Sequence, residues 1–343
     1  VKHCKVLGFL RDSAFDKLDA VQYYRTYLPL REVGRRACGI KTETVGKDSI
    51  GGLTDSQLGG RDIYTMCRMY HADCEGFIDE IHRRGGLLTL DSDDDLSEDY
   101  KLVSGRGKEF KRVLGMVDFV TVSTQPLADH FAQYTQKPPT VLRNHVDSEW
   151  MCTVADRGKR LIEGLTIGFS GSPTHWGDWY LPAVPFARIG RDFPEVTLIT
   201  HGVMPRYLQF AAEQTSMMRL GQVPFVVYPV LLSQFDIVLC AVNAKDPFNA
   251  GKSAIKALEC MSIGVVPICS RFGPYLDLEA AGAPVVVVEE DSRDGWYEAM
   301  LRIIRYEDRR KWLKGRGPVW VREHRDMAIG YRQWADFYHA IVD

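Results

Sequence analysis

Two lysines and a glutamate, Lys252, Lys256 and Glu259, stand at a spacing that brings them onto one side of a helix. At about 100° per residue they fall within roughly 60° of one another, and Ala254, Ile255, Leu258 and Met261 take the opposite side. Two cations and a carboxylate on one face suit a nucleotide. Asn249, Gly251 and Ser253 precede the helix, where free backbone N–H groups and the positive end of the dipole favour an anion such as a diphosphate. Glu259 is then placed to accept hydrogen bonds from a ribose. A solvated helix face with a Lys256/Glu259 pair accounts for the same pattern. The string GKS at positions 251–253 also suggests a phosphate loop of an NTPase. That loop needs a glycine where Asp246 stands, and a carboxylate there would repel phosphates, so the NTPase reading is set aside.

Three further groups have chemistry in reach. Aspartates 91, 93, 94 and 95 follow the apolar run LLTL, and Asp91-Ser92-Asp93 fits a DxD metal pattern, although aspartates equally cap helices and line loops. SGSPTHWGDW supplies Gly171 and Ser172, which allow backbone to approach a ligand, with His175 and Asp178 within reach of one; a helix cap by Asp178 explains it as well. Arg25, Arg31, Arg35 and Arg36 are interleaved with Tyr23, Tyr24 and Tyr27. That segment reads either as a solvated helix face or as a docking surface for an anionic acceptor or a lipid.

These residues need elements to hold them. FDIVLCAV and VVPIC are continuous apolar runs of the kind buried on both faces of a sheet, and the helix between them makes a right-handed crossover. Earlier in the chain CKVLGFL, DIYTMCRMY, LLTLD, DFVTVST and PTVLRN read as strands, the last ending at Asn144 and His145. Helices alternate with them; the first, AVQYYRTYLPLREVGRR, is expected to be interrupted at Pro29. Residues 39–62 read as a mobile loop, and KLVSGRGKEFKR as a basic stretch without regular structure. From 147 to 164 the pattern lapses into a connector. It restarts with LTIGFSG, a helix around DWYLPAVPFARIG, VTLITHG, a short helix near 205–219, the strand FVVYPV, and then APVVVVEE and the terminal helices.

The alternation predicts an α/β chain of two doubly wound Rossmann-like domains facing a cleft, with a long C-terminal helix. The divisions expected are 1–150 for the first domain, 151–164 for a linker, 165–322 for the second domain, and 323–343 for a helix packing back on the first. At 343 residues, with 45% apolar and 26% charged positions and a net charge of −2, the chain is a globular protein and not a bulk polyelectrolyte binder. Its eight cysteines include no CxxC pair, so neither a disulfide framework nor a zinc site is expected. No apolar stretch reaches about 18 residues, and a cytoplasmic location is expected.

Two successive domains of this kind, with FNAGKSAIKALECMSIGVVPICS late in the second, resemble the GT-B glycosyltransferases of the retaining family 4 type (glycosyl transferases group 1). SGSPTHWGDW is similar to the first loop of that family's donor domain, and DFVTVST with VLRNHVD to the end of its acceptor domain. The resemblance implies a hexosyltransferase: a sugar leaves a UDP- or GDP-linked donor, held by the second domain, for a hydroxyl on an acceptor held by the first. It implies no bound metal and no cofactor. The acceptor stays open between a glycan, a lipid-linked intermediate, a protein and a hydroxylated base in DNA, and so does the oligomeric state. Glu259 matches the second glutamate of the family's paired-glutamate motif, and the first falls at Gly251. The family's usual basic pair after the first donor-domain strand is also missing. Lys252 and Lys256 with His175 are expected to replace it as catalytic groups, while Gly171, Ser172, Asn249, Gly251, Ser253 and Glu259 bind the donor. Asp93 and Asp94 would orient the acceptor, with Arg25, Asp95 and Asn144 on its side. A nucleotide-sugar epimerase and a non-catalytic sugar-nucleotide binder are the rival readings.

Overall fold

The computed structural model describes residues 3–11, 14–46, 53–69, 74–97, 106–202, 204–206, 208 and 215–343. The chain forms two compact units. One comprises Val1–His145, Ala250–Ser253 and Met327–Asp343, the other Val146–Asn249 and Ala254–Asp326. Each is built on a six-stranded, wholly parallel sheet.

In the first unit the order is β2-β1-β3-β4-β5-β6, with β1 at Cys4–Leu10, β2 at Ile40–Gly46, β3 at Ile63–Cys67, β4 at Leu87–Ser92, β5 at Phe119–Val122 and β6 at Thr140–Val141. β3 is buried at every position, Thr65 included, as expected of a central strand covered on both faces. Phe9, Tyr64, Phe77, Phe110 and Phe131 fill the space between this sheet and its helices. The terminal helix Met327–Val342 belongs to this unit and buries Trp334, Phe337 and Tyr338.

The second unit has the order β9-β8-β7-β10-β11-β12, with β7 at Thr166–Gly171, β8 at Thr197–Gly202, β9 at Met217–Leu220, β10 at Ile237–Cys240, β11 at Val266–Cys269 and β12 at Val286–Val287. The chain leaves β7 toward β8 on one side and returns to β10 on the other. The carboxyl ends of β7 and β10 therefore flank the topological switch point, where open α/β sheets bind ligands.

Several expectations need correcting. Pro29 does not interrupt its helix, because the turn before it, Tyr23–Tyr27, is π-helical and Leu28 N–H reaches Tyr23 O, which absorbs the missing donor. The loop expected over 39–62 contains β2 and a helical turn at Asp55–Leu58, and its positions 47–52 lie outside the described residues. Of the basic stretch, 101–105 lie outside the described residues, and a helix runs over Gly107–Met116. Of the helix expected near 205–219, positions 207 and 209–214 also lie outside them, and Met217–Leu220 is a strand. FVVYPV is helical, since Pro229 sits in the first turn of Tyr228–Leu232, where its missing N–H costs nothing. The connector holds a helix, Ser148–Ala155, capped by Asp147. The C-terminal helix expected over 323–343 is present as Met327–Val342, and Glu307–His324 precedes it as a separate helix.

Candidate active site

In the second unit the site begins with a loop pinned by a tryptophan. Trp179 is fully buried, 4.2 Å between ring centroids from Phe169 of β7, and packs on Phe186. It anchors the 3₁₀ segment Pro173–Tyr180 over the end of β7. That segment carries His175 and Asp178. His175 Nδ1 lies 2.7 Å from Asp178 Oδ2, while Asp178 Oδ1 accepts hydrogen bonds from Asn243 N–H (2.8 Å) and Asn249 Nδ2 (2.9 Å). Asn249 Nδ2 also reaches Asn243 O. Asp178 thus ties the loop after β7 to the loop after β10, across the switch point. Burial raises its pKa, but the His175 hydrogen bond and charge, Lys256 and Asn243 N–H more than offset that and keep the carboxylate charged.

Lys256 stands beside this cluster on the helix Ile255–Ser262. Its ammonium is buried, lies 5.2 Å from the Phe169 ring centroid, and has no hydrogen-bond acceptor among the described residues. A buried cation without an acceptor is costly unless a ligand supplies one. Glu259, one turn on and 7% exposed, is part of the same helix. Gly171 ends β7 where a β-carbon would come 2.8 Å from His175 Cβ and from Phe169, so only glycine lets the His175 loop close over the strand.

Sequence reasoning missed His201 at the end of β8. It is 8% exposed, its Nδ1 lies 2.9 Å from Ser170 Oγ, and its Nε2 is buried without a partner among the described residues. The signal available was the pair of strand endings, Ser170-Gly171 and His201-Gly202, which are register partners.

The first unit holds a second set of charges at the carboxyl ends of β3 and β4. Arg25 is 1% exposed; it donates Nε and Nη2 to the two carboxylate oxygens of Asp91 at 2.8 and 2.6 Å, and Nη1 to Leu142 O and to Asn144 Oδ1. Thr121 completes Asp91 at 2.6 Å. Arg25 and Asn144 are therefore core groups, and Arg25 is not part of a basic docking face: Tyr23 and Tyr24 are buried too, while Arg31, Arg35 and Arg36 gather around Glu32. With both Asp91 oxygens engaged, its DxD pattern serves the core. Among the described residues no group of three or more metal-ligating side chains is placed to hold a metal ion.

Asp93 and Asp94 face Arg68, which follows β3 with a left-handed backbone (φ 52°). Burial and the neighbouring Asp94 raise the Asp93 pKa against the pull of Arg68. Asp95 accepts from Ser97 N–H and Oγ, which also meets His130 Nε2 at 2.9 Å. Lys252 joins this set and not the helix face expected for it. The helix starts only at Ile255, and the Lys252 ammonium lies 2.6 Å from Asp94 Oδ1. Ser253 Oγ accepts from Asn144 Nδ2 at 2.9 Å, and Gly251 O from Thr124 Oγ1. A β-carbon at Gly251 would fall 2.6 Å from Leu127 Cγ. Leu127 thus occupies the space that a glutamate at this position would need. Ser172 stays beside the His175 loop as its N-terminal flank.

No family model matches the sequence, and no curated protein matches it. Solved structures do. HepE of Anabaena in complex with UDP-glucose superposes with a TM-score of 0.69 at 12% identity, over 98% of this chain and 100% of that one. Sucrose-phosphate synthase of Thermosynechococcus elongatus gives 0.68 at 11% identity, over 99% of each chain. A candidate UDP-N-acetylglucosamine 2-epimerase of Listeria monocytogenes gives 0.55 at 8%, over 96% of this chain and 94% of that one. The likeness establishes the GT-B fold. At these identities it leaves the reaction to be argued from the site.

Proposed function

We propose that the protein is a glycosyltransferase: the second unit binds a nucleotide-sugar and the first an acceptor whose hydroxyl receives the sugar. The observation that carries this is the buried Lys256 ammonium, without an acceptor among the described residues, on the helix that follows β10. A diphosphate is the ligand such a cation suits, and HepE, of the same fold, was solved with UDP-glucose. UDP-sugars are accordingly the donors proposed first, ahead of GDP-sugars.

The chemistry gives each group a role. Breaking the anomeric C–O bond leaves negative charge on the nucleoside diphosphate, and a preorganised cation binds that charge more strongly in the transition state than in the intact donor. Lys256 supplies it, with His175 held by Asp178 as a neighbouring donor. Glu259 takes the ribose hydroxyls. Retention at the anomeric carbon comes with the family 4 resemblance and is part of the proposal, as are metal independence and a glycan, lipid-linked or hydroxylated DNA acceptor. Lys252 moves in this reading from the donor to the Asp93/Asp94 cluster.

The test is turnover of UDP-sugars with a panel of acceptors. Lys256→Met should lower it by roughly a hundred- to thousandfold, the usual effect of deleting one such donor, and Glu259→Gln should weaken UDP binding. Undiminished turnover in Lys256→Met would sink the assignment. Conversion of the sugar nucleotide with no acceptor present would give the epimerase reading instead.

A further inference from the structure

The strand ending next to the proposed phosphate site carries a second buried nitrogen, on His201. His201 is 8% exposed and its Nε2 has no hydrogen-bond partner among the described residues. Its other nitrogen is accounted for. Tyr228 Oη donates to Ser170 Oγ at 3.2 Å, and Ser170 Oγ lies 2.9 Å from His201 Nδ1. A serine oxygen that accepts from the tyrosine still has its own hydrogen to give, and His201 Nδ1, 2.9 Å away, is an acceptor in place to take it. A neutral imidazole that accepts at Nδ1 carries its proton on Nε2. With Ser170 donating to Nδ1, the relay Tyr228, Ser170, His201 presents an Nε2–H, and it meets β7 at Ser170, the residue after Phe169, whose ring centroid lies 5.2 Å from the Lys256 ammonium. Burial, and then the Lys256 charge, depress the His201 pKa and favour that neutral form. Burial raises the Tyr228 pKa well above its usual value and keeps its hydroxyl a donor.

We infer that His201 is a phosphate-binding residue of the second unit, donating Nε2–H to an oxygen of the same anion that Lys256 neutralises. Gly202 makes the strand end that presents it: its φ is +78°, and a β-carbon would run into Gly171 O. Ser170 and Tyr228 act through His201 and are positioning residues. The inference deepens the donor-site reading and rests on it for naming the anion as the diphosphate of a sugar nucleotide.

The experiment is NMR of the full chain with ¹⁵N-labelled histidine, titrated with inorganic pyrophosphate and separately with UDP and uridine. His201 should appear as the Nε2–H tautomer, its Nε2 signal should move with pyrophosphate and UDP, and uridine should leave it unmoved. His201→Phe should weaken UDP binding roughly ten- to hundredfold, the range for losing a hydrogen bond to a charged group, while His201→Gln, which keeps an N–H near the same place, should restore most of it. Ser170→Ala should release the fixed tautomer. An Nδ1–H tautomer in the wild type, a His201 signal indifferent to pyrophosphate, or equal UDP affinity in folded His201→Phe would each overturn the inference. A response to pyrophosphate without any binding of UDP would instead leave His201 as an anion site and remove the sugar-nucleotide reading.

Discussion

Asp236 stands just before β10, at the end of the sheet away from the site, and holds its charge against burial. Burial raises its pKa, but hydrogen bonds from Arg160 and Lys314, the Lys314 charge and the Thr166 N–H outweigh that and bring it to about 2. Lys314 Nζ lies 2.6 Å from Oδ1, and Thr166 N–H 3.0 Å from Oδ2. The folded-state pKa is depressed, so the stabilisation is complete above the unfolded value near 3.8 and is lost as pH falls through that value toward about 2. From the shift it amounts to about 2 kcal/mol. Asp236→Asn should therefore lower the stability of the second unit by about that much at pH 7, and urea unfolding should show the variant and wild type converging below pH 4. Parallel pH profiles would contradict the ion-pair account. Residues of this kind mark the limit of reading a sequence. Lys256 and Glu259 were legible because a helix repeats every few residues and puts them on one face. Asp178 and His175 were legible as groups near a strand end, though not as the tie between two loops. Arg25 was not legible, because its partner Asp91 is 66 residues away, and nothing local distinguishes a buried arginine from one on a wet face. Lys252 was misplaced for a similar reason: helical spacing was extended past a helix start that only the fold determines.

At the scale of elements, the strands recognised include those buried along their whole length, such as β3, β7 and β10, whose mainly apolar sequences fit a strand covered on both faces. Of the edge strands, β6 and β12 fall in runs read as strands, whereas β2 and β9 do not. β2, IKTETVG, pairs only with β1 and exposes much of one side, so its sequence alternates polar residues and passes for a loop. FVVYPV failed in the opposite direction, since a short apolar run does not distinguish strand from helix. Strand ends make the sharper prediction. Gly202 and Gly282 share a positive φ, +78° and +74°, but a β-carbon at Gly282 meets nothing within 4 Å, whereas at Gly202 it meets the Gly171 carbonyl. Gly282→Ala should cost only the backbone strain, roughly 1 kcal/mol. Gly202→Ala must also push β7 and β8 apart, and should cost at least about 1 kcal/mol more in denaturant unfolding. Equal costs would mean that the strand ends yield easily, and would weaken the case that they fix His201.

At the scale of the whole molecule, the chain completes its first unit with its last residues. Trp334, Phe337 and Tyr338 on the helix Met327–Val342 are buried, and the Arg25 guanidinium lies 5.0 Å from the Trp334 ring centroid. Gln333 accepts from Arg143 N–H and donates to Arg143 O, so the helix also closes the segment that follows β6. Three large side chains at about 2 to 3 kcal/mol each represent much of the stability a domain of this size has. The Arg25–Asp91 pair depends on the same helix, because removing Trp334 uncovers a guanidinium that nearly all of its surroundings now bury. Deleting residues 327–343 should therefore destabilise a unit whose last strand, β6, ends well over a hundred residues earlier. Hydrogen exchange would localise the effect: protection should fall in β1, β3 and the helix Leu28–Arg36, and persist in β7, β8 and β10. Even loss of protection across both sheets would show that the two units unfold as one body, and unchanged protection in β1 would show that the first unit's core is sufficient without the helix.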